Sequence, residues 1–276
     1  MTRLLVLSFT VLFFISCQNN VQENNAQNTK KDTIIQNPDN GIDAQKADNW
    51  INSNPNVVKI DTSVNKNSAL KITSKTTKTP EQEQRDDELR NARKAFKEGV
   101  DAYNSKNNLE AIDAFKEVLM YDPENALANY NLGKIYYETN QKELALKYYQ
   151  DALNYNPQDS NSVLSIGLIY FERAQFDDAL GYFNQAVEMA PGYGLAYYNR
   201  GTLLGQQKRY DEALIDLEMA EKYSPNDSRI YMNKGMAYFF TKNMDEACKN
   251  WTKAAEMGNS EAIKAVGIYC KKNPAK

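Results

Sequence analysis

Residues 126–159 read ALANYNLGKIYYETNQKELALKYYQDALNYNPQD, and a unit of this length recurs along most of the chain. Glycine returns every 34 residues at Gly99, Gly133, Gly167, Gly201 and Gly235. The same step separates three further columns: Ala111, Ala145, Ala179, Ala213 and Ala247; Val118, Ala152, Ala186, Ala220 and Ala254; and Pro123, Pro157, Pro191 and Pro225. Columns that stay in register over five copies indicate an internal repeat.

A period of about 34 residues with these columns resembles the tetratricopeptide repeat (TPR) family. In family order, the signature positions of the second copy are Leu132, Gly133, Tyr136, Ala145, Tyr149, Ala152 and Pro157, and those of the third are Ile166, Gly167, Tyr170, Ala179, Phe183, Ala186 and Pro191. The resemblance covers about residues 92–258 and weakens in the first and last copies. It implies an all-α fold, a right-handed α-solenoid of five TPR helix pairs, and it implies protein recognition as the usual activity.

The repeats are predicted at residues 92–125, 126–159, 160–193, 194–227 and 228–261, within a TPR domain that spans 86–272. Glycine in a helix interior costs about 1 kcal/mol relative to alanine. Five such glycines therefore need a packing reason, and we predict that small residues let the two helices of a pair approach closely. Gly258 predicts a left-handed end to the last repeat, followed by a polar-faced cap helix over 261–272 that Asn259 or Ser260 begins.

The first residues resemble a bacterial lipoprotein signal. A basic start and a short apolar run precede FISC at positions 14–17, and the run is too short to span a membrane. We predict a signal peptide over 1–16 and lipidation of Cys17, with acyl chains such as palmitate as the membrane anchor. Gln18 follows, which by the rule known for related lipoproteins favours the outer membrane. An ordinary signal peptide with an incidental cysteine is the alternative.

Residues 17–85 are rich in Asn, Gln, Thr and Lys and show no periodicity. Such a composition buries too little apolar surface to offset the entropy of ordering, so we predict a disordered tether between membrane and repeats. Trp50-Ile51 and residues 57–60 (VVKI) are apolar exceptions. They leave open a short linear motif or a strand that pairs with a partner.

Composition argues against several functional classes. The net charge is −3 and charges are mixed along the chain, whereas a nucleic-acid-binding domain would be basic and clustered. The chain has no histidine, which removes the commonest general base and the commonest metal ligand. No phosphate-binding loop or zinc-ligand spacing is present. We therefore expect neither an enzyme nor a cofactor- or metal-binding protein.

The TPR resemblance also implies a concave groove lined by the first helix of each pair. Its predicted partner-binding residues are aromatic, with interleaved amides. They are Phe96, Tyr103, Tyr130, Asn131, Tyr137, Phe171, Tyr198, Asn199, Met232, Asn233 and Phe239. Tyrosine offers broad contact area and asparagine can pair with a backbone, so an extended peptide or a helix could lie there. The competing interpretation is that these aromatics mainly pack against neighbouring turns.

Two cysteines fall at the end of the array. Cys248 occupies a column that is otherwise apolar and faces the next helix, which for the last repeat is the cap helix carrying Cys270. In an oxidising compartment we predict a disulfide between them. Two small buried thiols are the alternative.

The sequence thus predicts a membrane-anchored TPR scaffold that mediates protein–protein interactions in the bacterial cell envelope. A related possibility is a pilotin-like or outer-membrane assembly factor. A different class is a glycan-binding or nutrient-capture accessory lipoprotein, since aromatic faces can stack on sugars.

Overall fold

The computed structural model describes residues 78–270. These residues form eleven α-helices and contain no strand. The predicted signal peptide, the lipidation site at Cys17 and nearly all of the tether lie outside the described residues. None of the helices described is long and apolar enough to cross a membrane.

The helices follow one another with short connections. They are α1 (Pro80–Asn104), α2 (Asn108–Tyr121), α3 (Ala126–Glu138), α4 (Lys142–Tyr155), α5 (Ser160–Glu172), α6 (Phe176–Met189), α7 (Gly194–Gln206), α8 (Tyr210–Tyr223), α9 (Ser228–Phe240), α10 (Met244–Glu256) and α11 (Ser260–Tyr269). The chain divides into two units after Pro157, so that α1–α4 belong to the first unit and α5–α11 to the second.

Within each unit, every odd-numbered helix up to α9 packs against the even-numbered helix that follows it, and α11 packs against α10. Successive pairs also touch, through α2 and α3 in the first unit, and through α6 and α7 and then α8 and α9 in the second. The predicted all-α fold of stacked helix pairs with a final helix is therefore confirmed.

The first helix begins earlier than predicted. Thr79 is the N-cap of α1, its hydroxyl accepts a hydrogen bond from the Gln82 amide (3.3 Å), and the Gln82 side chain accepts one from the Thr79 amide (3.0 Å). This reciprocal capping box, with Pro80 in the first turn, stabilises a helix start. The prediction of a disordered tether up to residue 85 is wrong for residues 80–85.

Four of the five repeated glycines have the packing role predicted, and the neighbour that requires each of them is an aromatic ring. A Cβ atom added to Gly133 would lie 2.7 Å from the Tyr149 ring, and one added to Gly167 would lie 2.7 Å from Phe183. Gly99 faces Phe115 and Gly235 faces Trp251 in the same way. Each ring belongs to the second helix of the same pair, so the ring fills the space that the missing side chain leaves.

The turn within each pair contains a residue in the left-handed backbone conformation. These residues are Lys106, Asn140, Ala174, Lys208 and Lys242, with φ between 55° and 65°. They keep the 34-residue step, yet none is glycine, so this column carries no composition signal in the sequence.

Ala174→Gly is expected to raise the free energy of unfolding by about 0.5–1 kcal/mol. A side chain in the left-handed region costs roughly 1–2 kcal/mol, part of which the greater freedom of glycine in the unfolded chain offsets. Urea denaturation followed by circular dichroism measures the change. Asn140→Gly is the matched control and should gain less, because asparagine tolerates this conformation. An Ala174→Gly variant no more stable than wild type would contradict the assignment.

The last helix differs from its prediction at its end and on its outer face. Asn259 caps α11 by accepting from the Ala262 amide at 2.9 Å, and Gly258 has the predicted left-handed conformation with φ 88°. The helix ends at Tyr269 rather than at residue 272. Its outer face is not uniformly polar, because Ile263 and Ile268 are 54% and 64% exposed.

Cys248 on α10 and Cys270 at the C-cap of α11 are joined by a disulfide, with their Cα atoms 5.5 Å apart. This is the pairing that the sequence predicts. It lies beside an aromatic cluster in which Phe239, Trp251 and Tyr269 contact one another.

Candidate functional site

Three predicted groove residues are buried and do not lie on an accessible surface. Phe96 is 3% exposed and packs edge-on against Phe115, with ring centroids 5.4 Å apart. Asn131 is 1% exposed, and Met232, at 9%, belongs to the core of the last two pairs. The sequence predicts that these three residues line the groove, but in the structure they are buried.

Phe239 is half-buried, and its ring contacts belong to the core. Its centroid lies 5.5 Å from Phe240, 5.7 Å from Trp251 and 5.1 Å from Tyr269. Phe171 is also half-buried, against Phe176 and Phe183. For these two residues the interpretation as packing side chains describes the contacts better than a role in binding.

In the first unit, the half-buried residues Tyr103, Tyr130 and Tyr137 lie on α1 and α3. The Tyr103 hydroxyl donates to Glu138 at 2.7 Å, and the Lys134 ammonium lies 5.1 Å from the Tyr103 ring centroid. Burial raises the pKa of Tyr103, and the Glu138 carboxylate raises it further. Burial also lowers the pKa of Lys134, with Glu138 opposing that shift. We call Tyr103, Tyr130, Lys134, Tyr137 and Glu138 the first surface.

In the second unit, Tyr198 lies on α7 beneath the Arg229 guanidinium, which is 4.9 Å from the ring centroid. Asp227 holds Arg229 in place by accepting from its Nε at 2.9 Å and from Nη2. Cation–π contact of this kind favours one ring orientation. The Arg229 contact therefore restrains the half-buried Tyr198 ring.

Two side-chain amides lie on the helices that carry Tyr198 and Arg229. Asn199 donates to the Leu195 carbonyl at 2.8 Å, and Asn233 on α9 donates to the Thr202 hydroxyl on α7 at 2.9 Å. An amide has two N–H hydrogens and an acceptor oxygen, so one internal bond orients each side chain without using its whole hydrogen-bonding capacity. We call Tyr198, Asn199, Arg229 and Asn233 the second surface.

The structure also contains two charged networks that the repeat pattern does not predict. Arg200 on α7 forms two hydrogen bonds of 2.7 Å to Asp216 on α8 and one of 3.0 Å to Asn184 on α6. Lys234 on α9 donates to Glu221 on α8 at 2.7 Å. The signal was present in the sequence, because both cations occupy the signature column that holds Leu132 and Ile166 in earlier copies.

These networks connect successive pairs within the second unit. Glu221 also accepts from Lys253 on α10 at 3.3 Å, and Lys253 lies 3.9 Å from the Tyr231 ring centroid. The partners come from α6, α7 and α8 in one network and from α8, α9 and α10 in the other. Both networks link neighbouring helices.

Glu221→Gln is expected to destabilise the protein by about 1 kcal/mol at pH 7, since water screens part of the interaction. Burial raises the pKa of Glu221, but the ion pairs with Lys234 and Lys253 outweigh it and lower the pKa overall. A lowered carboxyl pKa contributes stability above the unfolded value of about 4.3 and loses it as pH falls through the folded value. Urea midpoints of wild type and variant should therefore differ at pH 7 and converge as the pH falls through the folded pKa of Glu221. A difference in urea midpoint that does not change with pH would contradict this role of the Glu221 carboxylate.

Three models of the Tetratricopeptide repeat family match residues 102–165, 164–222 and 228–257. Among solved structures, MamA is similar at 25% identity and a TM-score of 0.52, over 60% of this chain and 96% of that chain. MamA 41-end from Desulfovibrio magneticus RS-1 has a TM-score of 0.55 at 17% identity, over 62% of this chain and 97% of that chain. YrrB is similar at 21% identity and a TM-score of 0.51, over 62% of this chain and 89% of that chain. The last two likenesses show the fold alone.

No curated protein matches the chain. The three family models cover the repeats that the glycine, alanine and proline columns define, and the helix pairs of both units agree with them. The chain belongs to the tetratricopeptide repeat family.

Proposed function

We propose that this protein is a non-catalytic scaffold that binds a segment of a protein partner, as an extended peptide or a helix. Membership of the TPR family supports the general role. YrrB, which shares the fold, is described as a TPR protein with an unusual peptide-binding site. The observation that carries the proposal is the second surface, which combines a tyrosine ring restrained by Arg229 with two amides oriented on α7 and α9.

The chemistry of this surface suits a polypeptide. A tyrosine ring offers a large contact area while losing few rotamers on binding. Amide side chains can donate to and accept from the backbone of an extended segment. In the first unit, the first surface by itself places one cation and one anion beside a half-buried aromatic ring.

The proposal is tested by cross-linking and pull-down from membranes, comparing wild type with Tyr130→Ala/Tyr198→Ala. Truncating a buried interface tyrosine often costs 2 kcal/mol or more, about 30-fold in affinity, so recovery of the partner should fall strongly. Tyr155→Ala is the matched control, because this exposed tyrosine lies at the end of α4, the second helix of its pair. Circular dichroism verifies folding. Unchanged recovery by the double variant would place the binding surface elsewhere.

We further propose that lipidated Cys17 anchors the protein to the bacterial outer membrane, where it helps an envelope complex to assemble. The support is the basic start, the short apolar run and the FISC sequence at 14–17. Cys17→Ser should move the protein from the membrane fraction to the soluble fraction, and its mass should lack the acyl chains. A variant that still sediments with membranes would overturn the anchor, while partner binding by the purified protein would stay a separate question.

A further inference from the structure

The last helix, α11, makes an unusually small contribution to the core. It has ten residues, and its fully buried side chains are two alanines, Ala262 and Ala265. Its two isoleucines, Ile263 and Ile268, face outward. Helices shorter than about 12–15 residues are marginal without tertiary packing. The attachment of α11 therefore depends on its packing through Ala262 and Ala265, with the partly buried Val266, Tyr269 and Cys270.

Gly267 weakens this helix further. It lies inside α11, and apart from its two chain neighbours and the backbone of its own helix, no atom lies within 4 Å of the position where its Cβ would be. The glycines of α1, α3, α5 and α9 are required by an adjacent ring, but Gly267 has no such packing reason. A glycine inside a helix lowers its intrinsic stability, so α11 is poorly suited to staying folded by itself.

The surface that α11 covers is strongly apolar. Trp251 is completely buried, and Met236 is 3% exposed. The Tyr269 ring at the end of α11 lies 5.8 Å from the Trp251 centroid and 5.1 Å from that of Phe239. Detachment of α11 would remove Tyr269 and the two buried alanines from this cluster and expose the Trp251 ring to water.

The disulfide is placed where it can control that detachment. Cys270 is the C-cap of α11, and Cys248 lies on the helix against which α11 packs. The chain connection through Gly258 and Asn259 fixes the beginning of α11, and the disulfide fixes its end. Both cysteines are half-buried rather than fully enclosed.

We propose that the Cys248–Cys270 disulfide is a redox-controlled attachment for α11, and that its reduction by a dithiol lets α11 detach from the Trp251 cluster. A thiolate of the dithiol attacks one sulfur and breaks the S–S bond, which forms a mixed disulfide. The second thiol of the reductant then displaces the protein sulfur. Two electrons and two protons pass to the protein, which leaves two cysteine thiols and the oxidised, cyclic form of the dithiol.

Hydrogen exchange measured by mass spectrometry tests this in the full-length protein, oxidised or treated with dithiothreitol. Non-reduced peptides should first link Cys248 to Cys270, and alkylation then confirms that both thiols have formed. Reduction should accelerate amide exchange in residues 260–269 by at least about tenfold, as local opening requires, while α5–α8 keep their protection. Unchanged exchange in α11 would overturn the proposal. Equal loss of protection throughout residues 158–269 would also overturn it, since the disulfide would then stabilise the whole unit.

Two variants provide internal controls. Cys248→Ser/Cys270→Ser should show the exchange of the reduced protein whether or not dithiothreitol is present. Gly267→Ala should leave the oxidised protein nearly unchanged but slow the exchange of reduced α11 by about fivefold, because alanine favours the helix. If Gly267→Ala has no effect in the reduced state, the weakness of α11 as a helix is not what the disulfide compensates.

Discussion

Asp216→Ala is expected to lower the free energy of unfolding by about 3 kcal/mol, because it leaves the Arg200 guanidinium without its carboxylate partner in a mostly buried setting. The Asp216 side chain is 5% exposed and accepts two hydrogen bonds of 2.7 Å from Arg200, whose own side chain is 21% exposed. Partial hydration of Arg200 places the expected cost at the lower end of the range for buried pairs. Urea denaturation followed by circular dichroism measures it.

Two further variants separate the pair from its surroundings. Arg200→Leu/Asp216→Ala should be more stable than Asp216→Ala alone, because removing both charges leaves no unpaired ion, and Leu132 already stands at the equivalent position of the second copy. Glu246→Ala removes an exposed partner of Lys249 and should cost at most about 1 kcal/mol. Equal losses of unfolding free energy for Asp216→Ala and Glu246→Ala would show that the buried ion pair stabilises the protein no more than an exposed one does.

Gly235→Ala is expected to destabilise the protein by about 2 kcal/mol, although alanine is the better helix former by about 1 kcal/mol. The added Cβ would lie 2.3 Å from Cδ1 and 2.4 Å from Nε1 of Trp251. The Trp251 ring is fully buried against Phe239 and Tyr269, so it has no space into which to move. Overpacking of this kind costs typically 1–3 kcal/mol and occasionally more.

Two other glycines should show how the effect of an added Cβ on stability depends on the space around it. At Gly201 the nearest atoms to an added Cβ are 3.1–3.2 Å away, so Gly201→Ala should be nearly neutral. Gly181 is exposed on α6 with no atom within 4 Å, so Gly181→Ala should stabilise by up to about 1 kcal/mol. Thermal midpoints should follow the order Gly235→Ala, Gly201→Ala, Gly181→Ala from lowest to highest. Any other order would contradict the proposed reason for the repeated glycines.

The helix pairs could be predicted because their cause is local and periodic. Gly133 and Tyr149 recur as Gly167 and Phe183, and the structure brings each such glycine against such a ring. The start of α1 could also have been predicted, since Thr79 and Gln82 have the spacing of a capping box. Composition does not indicate this helix start, because residues 80–85 are polar like the tether before them.

The candidate site was harder to predict because repeat position gives a face of a helix but not the depth of a side chain. Phe96 and Tyr130 occupy the same repeat position, yet Phe96 is buried while Tyr130 is half-buried. That difference depends on the side chains that cover each position, and those belong to other helices. The left-handed turn residues were missed for another reason, because Lys106 and Ala174 have no conformational preference that marks them.

Site-specific photo-cross-linking tests the central claim, binding of a partner segment at the second surface, most directly. A photoreactive phenylalanine analogue would replace Tyr198 in one protein and Ile215, a 63% exposed residue on α8, in another. Irradiation of membranes should give an adduct with a partner polypeptide from position 198 and little or none from position 215. Adducts of equal yield from both positions, or from position 215 alone, would contradict the claim.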